Sequence, residues 1–323
     1  MKKLVNPLVL MAVALLLLTG CGLRPSTSAV QPAEPGLIQP IEGAEGHRLT
    51  IGSKNFTEQI ILGKMAVLTA EAAGFDAVDM TNIPGSQPAR KVLVSGEVDM
   101  EWEYTGTAWL TYLGQEESIA DSERMWQSVA EADRANGLVW GQPSPLNNTY
   151  GMAVRREFAE AHNLTTISDI ASLPVEDRTL CIEAEFNSRS DGLNGMLEKY
   201  ELPRGSGVPE QNVQIMDTGA IYAATDNGTC NFGEIFTTDG RINSLDLVVL
   251  EDDRQYFPAY NGAPVFYAQT LEQFPELEDR FNLVAQRLND DVMRDLNYRV
   301  DVQGEDPGAV ARDWMLQEGL ITE

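Results

Sequence analysis

Two stretches decide how this chain folds: Ile51-Gly52-Ser53-Lys54-Asn55-Phe56-Thr57-Glu58-Gln59 and, further along, Gly96-Glu97-Val98-Asp99-Met100-Glu101-Trp102-Glu103-Tyr104-Thr105-Gly106-Thr107-Ala108. Each reads as the end of a strand turning into a helix. Lys54, Tyr104 and Thr107 stand beside the predicted helix N-termini, where unpaired N–H groups and the helix dipole favour an anion. The two turns are expected to form one side of a small-molecule cleft.

The flanking residues repeat this pattern. Residues 48–52 read as a short strand, with Thr57 the expected N-cap of a helix whose apolar residues (Ile60, Ile61, Met65, Leu68, Ala72) keep near-helical spacing. Gly74 is its expected stop. Residues 77–83 read as a strand, 87–95 as a helix and 98–102 as the next strand. Strand–helix–strand–helix–strand order implies a parallel, twisted sheet with ligand groups at the C-terminal ends of its strands. A helix over 119–136 and a strand over 138–140 follow.

Residues 149–154 read as the first crossing into a second lobe. Strands over 179–183, 213–216 and 231–237 alternate there with helices over 192–200 and 221–226. Residues 246–250 read as a strand returning the chain to the first lobe. Helices over 275–288, 290–300 and 307–318 then pack on that lobe, with Pro275 and Pro307 suited to first helical positions, where no N–H is needed. The expected fold class is α/β with two lobes. The first lobe comprises residues 48–147 and 258–323, the second 148–257.

The chain opens with a basic Met1-Lys2-Lys3, and residues 7–18 are apolar or helix-compatible. About twelve residues reach roughly 18 Å as a helix, short of a hydrocarbon core of about 30 Å. The segment has the proportions of a signal-peptide core. Leu18-Thr19-Gly20-Cys21 looks like a bacterial lipobox. That resemblance implies removal of residues 1–20 and lipid on Cys21, so that the mature chain is extracytoplasmic and anchored to a membrane. Residues 21–47, rich in Pro, Ser, Ala, Gly and Glu, read as a flexible tether.

Charge and composition exclude whole classes of function. The chain has 23 Lys and Arg against 49 Asp and Glu, a formal net charge of −26. Such a surface repels nucleic acid, and no nucleic-acid partner is expected. With only His47 and His162, neither in a suitable context, no metal site or Ser-His-Asp triad is expected. There is no Walker loop, dinucleotide fingerprint or HExxH helix, so neither a cofactor nor an enzyme is expected. A hydrolase would have to use Glu101 and Glu103, which alternate along one strand face, but no nucleophile–base arrangement accompanies them. They read as a solvated or salt-bridged edge. Outside the cytosol, the remaining Cys181 and Cys230 favour a disulfide over two buried thiols.

The motifs, taken in series, resemble the osmoprotectant-binding proteins of ABC importers. The resemblance rests on Gly52 to Gln59, Ser95 to Asp99 and Glu103 to Ala108. It continues through Asn148-Thr149-Tyr150, Glu185-Phe186 with Arg189 and Asp191-Gly192, Thr238-Asp239-Gly240, Leu250-Glu251-Asp252-Asp253 and Phe257-Pro258-Ala259-Tyr260. It implies a hinge-closing, two-lobed fold of the type II periplasmic-binding-protein kind, a quaternary-amine ligand such as glycine betaine, choline or carnitine, and an ABC permease partner. A quaternary ammonium has no N–H to donate, so it is held against electron-rich aromatic faces. Matching the family's cage positions gives Tyr104, Tyr150, Phe236 and Tyr260, with Phe236 standing where the family usually has Tyr. The same resemblance gives Arg189 a carboxylate-binding role and makes Lys54 and Thr107 accessory groups. The other reading on the same fold is a different small polar solute, such as an amino acid.

Overall fold

The computed structural model describes residues 33–115, 119 and 121–323. The expected leader and Cys21 lie outside the described residues. In chain order the strands are β1 (Glu34–Pro35), β2 (Arg48–Lys54), β3 (Asp76–Ile83), β4 (Met100–Tyr104), β5 (Leu138–Trp140), β6 (Tyr150–Arg155), β7 (Leu180–Ile182), β8 (Val213–Ile215), β9 (Phe232–Phe236), β10 (Leu247–Val249), β11 (Gly262–Tyr267) and β12 (Ile321–Thr322). They form two five-stranded sheets, ordered β3-β2-β4-β11-β5 and β10-β6-β9-β7-β8, and a small β1-β12 pair. In the first sheet β2 runs parallel to β3 and β4, as the strand–helix alternation requires, but β11 is antiparallel to β4 and β5, so this sheet is mixed rather than wholly parallel. The second sheet is mixed: β7 is parallel to β8 and β9, and β6 is antiparallel to β9 and β10.

The helix Thr57–Ala72 is the spine of the first lobe. Fourteen of its sixteen residues are buried, so it is covered on all sides. The first sheet covers one side, and the helices Asp290–Asp301 and Pro307–Gln317 cover the other. Even Lys64 is fully buried within it, paired with Asp79. Thr57 is not the cap. Phe56 holds the N-cap position without a side-chain bond, and the Thr57 hydroxyl donates to Asp301 at 2.6 Å.

The structure corrects four further expectations. Residues 34–47 are not tether, because β1 pairs with β12, and Ile38, Ile41 and Ala44, three residues apart, bury into the first lobe's core. Their Pro- and Gly-rich surroundings mask that spacing. Residues 246–250 do not return the chain, since β10 is the edge of the second sheet. The return is made by β11, whose Gly262-Ala263-Pro264 start reads as loop. Pro264 is tolerated in this central strand because pairing with β5 runs only from Val265 to Tyr267. The Pro264 carbonyl faces Gly141, just past β5, and the missing N–H would face the same way, leaving the β4 ladder whole. Pro275 lies between the helices Ala268–Gln273 and Leu277–Ala285, not at a first helical position. Pro307 does open its helix, with Asp306 accepting from the Ala309 N–H. Finally, a short helix, Ala184–Ser188, stands between the strand expected over 179–183 and the helix expected over 192–200, where no helix is expected.

Cys181 in β7 and Cys230, just before the neighbouring β9, form a disulfide with a Cα–Cα distance of 5.7 Å. Both are fully buried beneath the helix Thr218–Asp226. The bridge spans 49 residues of sequence. Closing a loop of that length in the unfolded chain stabilises the folded state by about 4 kcal/mol in the chain-entropy model. Replacing both cysteines with serine should therefore lower the unfolding free energy by about 2–4 kcal/mol in urea titrations; no change would show that the bridge does not constrain the unfolded chain.

Candidate functional site

Between the two sheets lies a cavity of about 40 Å³. All seven residues singled out from the sequence line it: Lys54, Tyr104 and Thr107 from the first lobe, Tyr150, Arg189 and Phe236 from the second, and Tyr260 from the segment leading into β11. Most sit at or near a strand end; Thr107 instead closes the helical turn after β4, and Arg189 follows the helix Ala184–Ser188. Lys54 and Tyr104 close β2 and β4, Tyr150 opens β6 and Phe236 closes β9, so Tyr150 and Phe236 face each other in register. Their ring centroids are 5.3 Å apart. The Tyr260 ring meets Tyr150 edge-on at 5.8 Å. It also packs against the turn after β4, where a Cβ on Gly106 would come within 2.6 Å of the ring, so only glycine fits there.

Phe56 was not singled out, although it lies inside the motif that opens the fold. Its ring stacks on Phe236 at 5.3 Å and on Tyr104 at 6.2 Å, joining rings of both lobes. The only signal in the sequence was its place in Asn55-Phe56-Thr57, between a strand end and a helix start. Ser86 was missed as well. Its N–H donates to Glu185 across the cleft at 3.3 Å and its hydroxyl donates to the same carboxylate. Trp102 beside Tyr104 is buried in the first lobe's core.

The polar end of the cavity is fully engaged. Lys54 is paired with Glu103 and stands 5.1 Å from the centre of the Tyr104 ring. Glu103 also accepts the Tyr112 hydroxyl at 2.8 Å. Arg189 donates through Nε to Asp191 at 2.7 Å and through Nη1 to Glu185 at 3.2 Å. Its guanidinium lies 5.5 Å from the Tyr150 ring. Asp191 also accepts the Tyr260 hydroxyl at 2.7 Å, so one carboxylate orients both a cation and a ring. Burial opposes ionisation of Glu185, but hydrogen bonding from Ser86 and the charges of Lys54 and Arg189 hold its carboxyl below the ordinary range.

Residues 47–317 match a family model described as the substrate-binding domain of the ABC-type glycine betaine transport system. The chain belongs to this family, OpuAC. A glycine-betaine-binding protein of Pseudomonas aeruginosa is 35% identical over 288 residues, covering 87% of this chain and 91% of that one. The glycine betaine-binding protein YehZ of Escherichia coli is 29% identical, covering 83% and 90%. Among solved structures, a glycine betaine/carnitine/choline ABC transporter protein superposes with a TM-score of 0.68 at 26% identity, over 83% of this chain and 98% of that one. Apo YehZ gives 0.63 at 28% identity, over 84% and 99%. The architecture is that of a two-lobed type II periplasmic binding protein.

Beneath the cleft of this OpuAC domain, Glu101 and Glu103 are both about 1% exposed, so they are not a solvated edge. They share one face of β4, a central strand of a covered sheet. Glu103 is paired, whereas neither Glu101 oxygen has a hydrogen-bond partner among the described residues. Burial, followed by the charge of Glu103, pushes the Glu101 carboxyl up to about 8, with Lys54 and Arg90 opposing. Its folded pKa thus lies above the unfolded value of 4.5, and the unfolded chain ionises first as pH rises. Its contribution to stability is whole below about pH 4.5 and is lost as pH climbs towards 8, on the order of 4–5 kcal/mol. Glu101→Gln should flatten that decline in unfolding free energy measured from pH 5 to 9; an identical pH slope in both proteins would refute the assignment.

Proposed function

We propose that this chain captures a quaternary-amine solute, such as glycine betaine or choline, between its lobes and delivers it to an ABC permease. The observation that carries the reading is the convergence of Tyr104, Tyr150, Phe236 and Tyr260 from both lobes on one cavity, with Phe56 beside them. A trimethylammonium group carries its charge on a surface of methyl groups and has no N–H to donate. Aromatic faces satisfy both properties, each contributing about 0.5–2 kcal/mol. The surrounding charges favour the same head group: Lys54 and Arg189 stand against Glu103, Glu185 and Asp191. The names of the relatives from Pseudomonas and Escherichia, both glycine betaine binders, support this ligand class.

Because ligand groups come from both lobes, binding favours the closed arrangement and the solute acts as the link between them. A ligand carboxylate would meet Arg189, Lys54 and Thr107, in competition with the Asp191, Glu185 and Glu103 carboxylates that already hold the two cations. Lipid on Cys21 would hold the protein at the outer face of the membrane, beside its permease.

Tyr260→Phe keeps the ring and loses the hydroxyl, whereas Tyr260→Leu loses the ring. In calorimetry the leucine variant should bind glycine betaine and choline roughly tenfold or more weaker than the phenylalanine variant; equal affinities would remove Tyr260 from the cage. Arg189→Ala should weaken glycine betaine more than choline, which has no carboxylate. Equal losses would mean that Arg189 acts only by holding Asp191 and Tyr260 in place.

A further inference from the structure

Behind the aromatic cavity, at the hinge, lies a smaller cavity, walled on one side by Phe56 and Phe236 and elsewhere by polar side chains, with room for an occupant about the size of one water. Glu58, Asn148, Thr238, Arg241, Asn297 and Asp301 stand on its wall. Glu58, Asn297 and Asp301 come from helices of the first lobe, Asn148 from the crossing, and Thr238 and Arg241 from the second lobe.

Glu58 fixes both amides. Asn148 Nδ2 donates to its Oε1 at 2.9 Å, and Asn297 Nδ2 donates to its Oε2 at 3.1 Å. Flipping either amide would set oxygen against oxygen, so each Oδ1 is turned away from the carboxylate. Both Oδ1 atoms are buried without a hydrogen-bond partner among the described residues. Asn148 is 7% exposed and Asn297 is 3% exposed. Asp301 Oδ2 likewise accepts no hydrogen bond, although Arg241 stands 3.2 Å away.

The local charge is unbalanced in the same direction. Glu58 is held by four neutral donors: Tyr104, Asn148, Thr238 and Asn297. Asp239 and Asp301 share the single cation Arg241, which is clasped to Asp239. Arg294 reaches the Thr237 carbonyl, but its charge is paired with Asp291.

We propose that the hinge cavity binds one monovalent, oxygen-liganded cation of sodium size, through Asn148 Oδ1, Asn297 Oδ1 and Asp301. A divalent ion asks for several free carboxylate oxygens. Here both Glu58 oxygens are taken and Asp239 is committed to Arg241, leaving neutral carbonyls and one carboxylate oxygen. The cation offsets the buried acidic excess and ties the first lobe to the crossing beside the second. It thereby favours closure, whichever solute the aromatic cavity takes.

The test uses the full mature chain, melted in NaCl, KCl or N-methylglucamine chloride at matched ionic strength. The third cation controls for general screening of an acidic surface, without offering a quaternary ammonium to the cage. Sodium should raise the melting temperature saturably, by about 3 °C over N-methylglucamine, and ²³Na resonances should broaden on adding protein. Asn297→Ala and Asp301→Asn should each abolish the sodium-specific part, judged within each variant so that a lower starting stability does not matter. Superimposed melting curves in sodium and N-methylglucamine would overturn the site, leaving a water there; so would a sodium-specific rise that survives both substitutions.

Discussion

A buried carboxylate without a cationic partner governs the centre of this molecule. Glu58 is fully enclosed, and burial raises its pKa while the bonds from Thr238, Tyr104, Asn297 and Asn148 work against that rise. Hydrogen bonds to a charged group contribute about 1.5–3 kcal/mol each. Leaving such a charge unsatisfied costs several kcal/mol. Its four donors belong to the end of β4, the crossing before β6, the loop after β9 and the helix Asp290–Asp301, so these segments must meet wherever Glu58 sits. Its place in the first turn of a sixteen-residue helix adds the favourable end of the dipole.

The aromatic cavity follows from that constraint. Tyr104 is tied to Glu58 by its hydroxyl, and its ring can face the cleft only from that anchor. Asn148 is tied likewise, which fixes the start of β6 and hence Tyr150. Phe56 immediately precedes the same helix and reaches across to Phe236. On the other side Asp191 does for Tyr260 what Glu58 does for Tyr104. Two carboxylates therefore position two cavity rings, and their remaining capacity is spent on groups of the hinge and of the second lobe.

Much of this was legible in the sequence, and the exceptions share a cause. Strand–helix alternation and its parallel consequence follow from local pattern, so β2, β3, β4 and their helices read correctly to within a few residues. The cavity residues were legible through motifs, most of which carry their residue at or near a strand end, whereas Thr107 and Arg189 sit at the ends of short helices. β11 was not legible because Gly262-Ala263-Pro264 has the propensity of a loop, and only the early end of β5 makes a proline harmless there. Residues 34–47 look like solvated tether because three buried apolar residues are too few to show through a Pro- and Gly-rich background. Glu101 and Glu103 look like an exposed edge because alternation reports which residues share a face, but not whether that face is covered.

Phe236, where the resemblance implies a tyrosine, also has a physical account in these terms. The hydroxyls of Tyr104 and Tyr260 both donate to carboxylates, which fixes each ring and pushes electron density onto its π-face. Such polarised rings suit a cation better than isolated ones. Phe236 has no hydroxyl to anchor it, and it is held instead by stacking: Phe56 lies nearly parallel to it, at 18°, and Tyr150 is tilted against it at 37°. Its backbone N–H is taken up by the Tyr222 hydroxyl, which fixes the strand end that carries it. A hydroxyl added to this ring would gain polarisation only by finding an acceptor as well placed as Glu58 or Asp191. The cavity thus combines two kinds of wall, rings oriented by charge and rings oriented by stacking, and the second kind needs Phe56 as its partner.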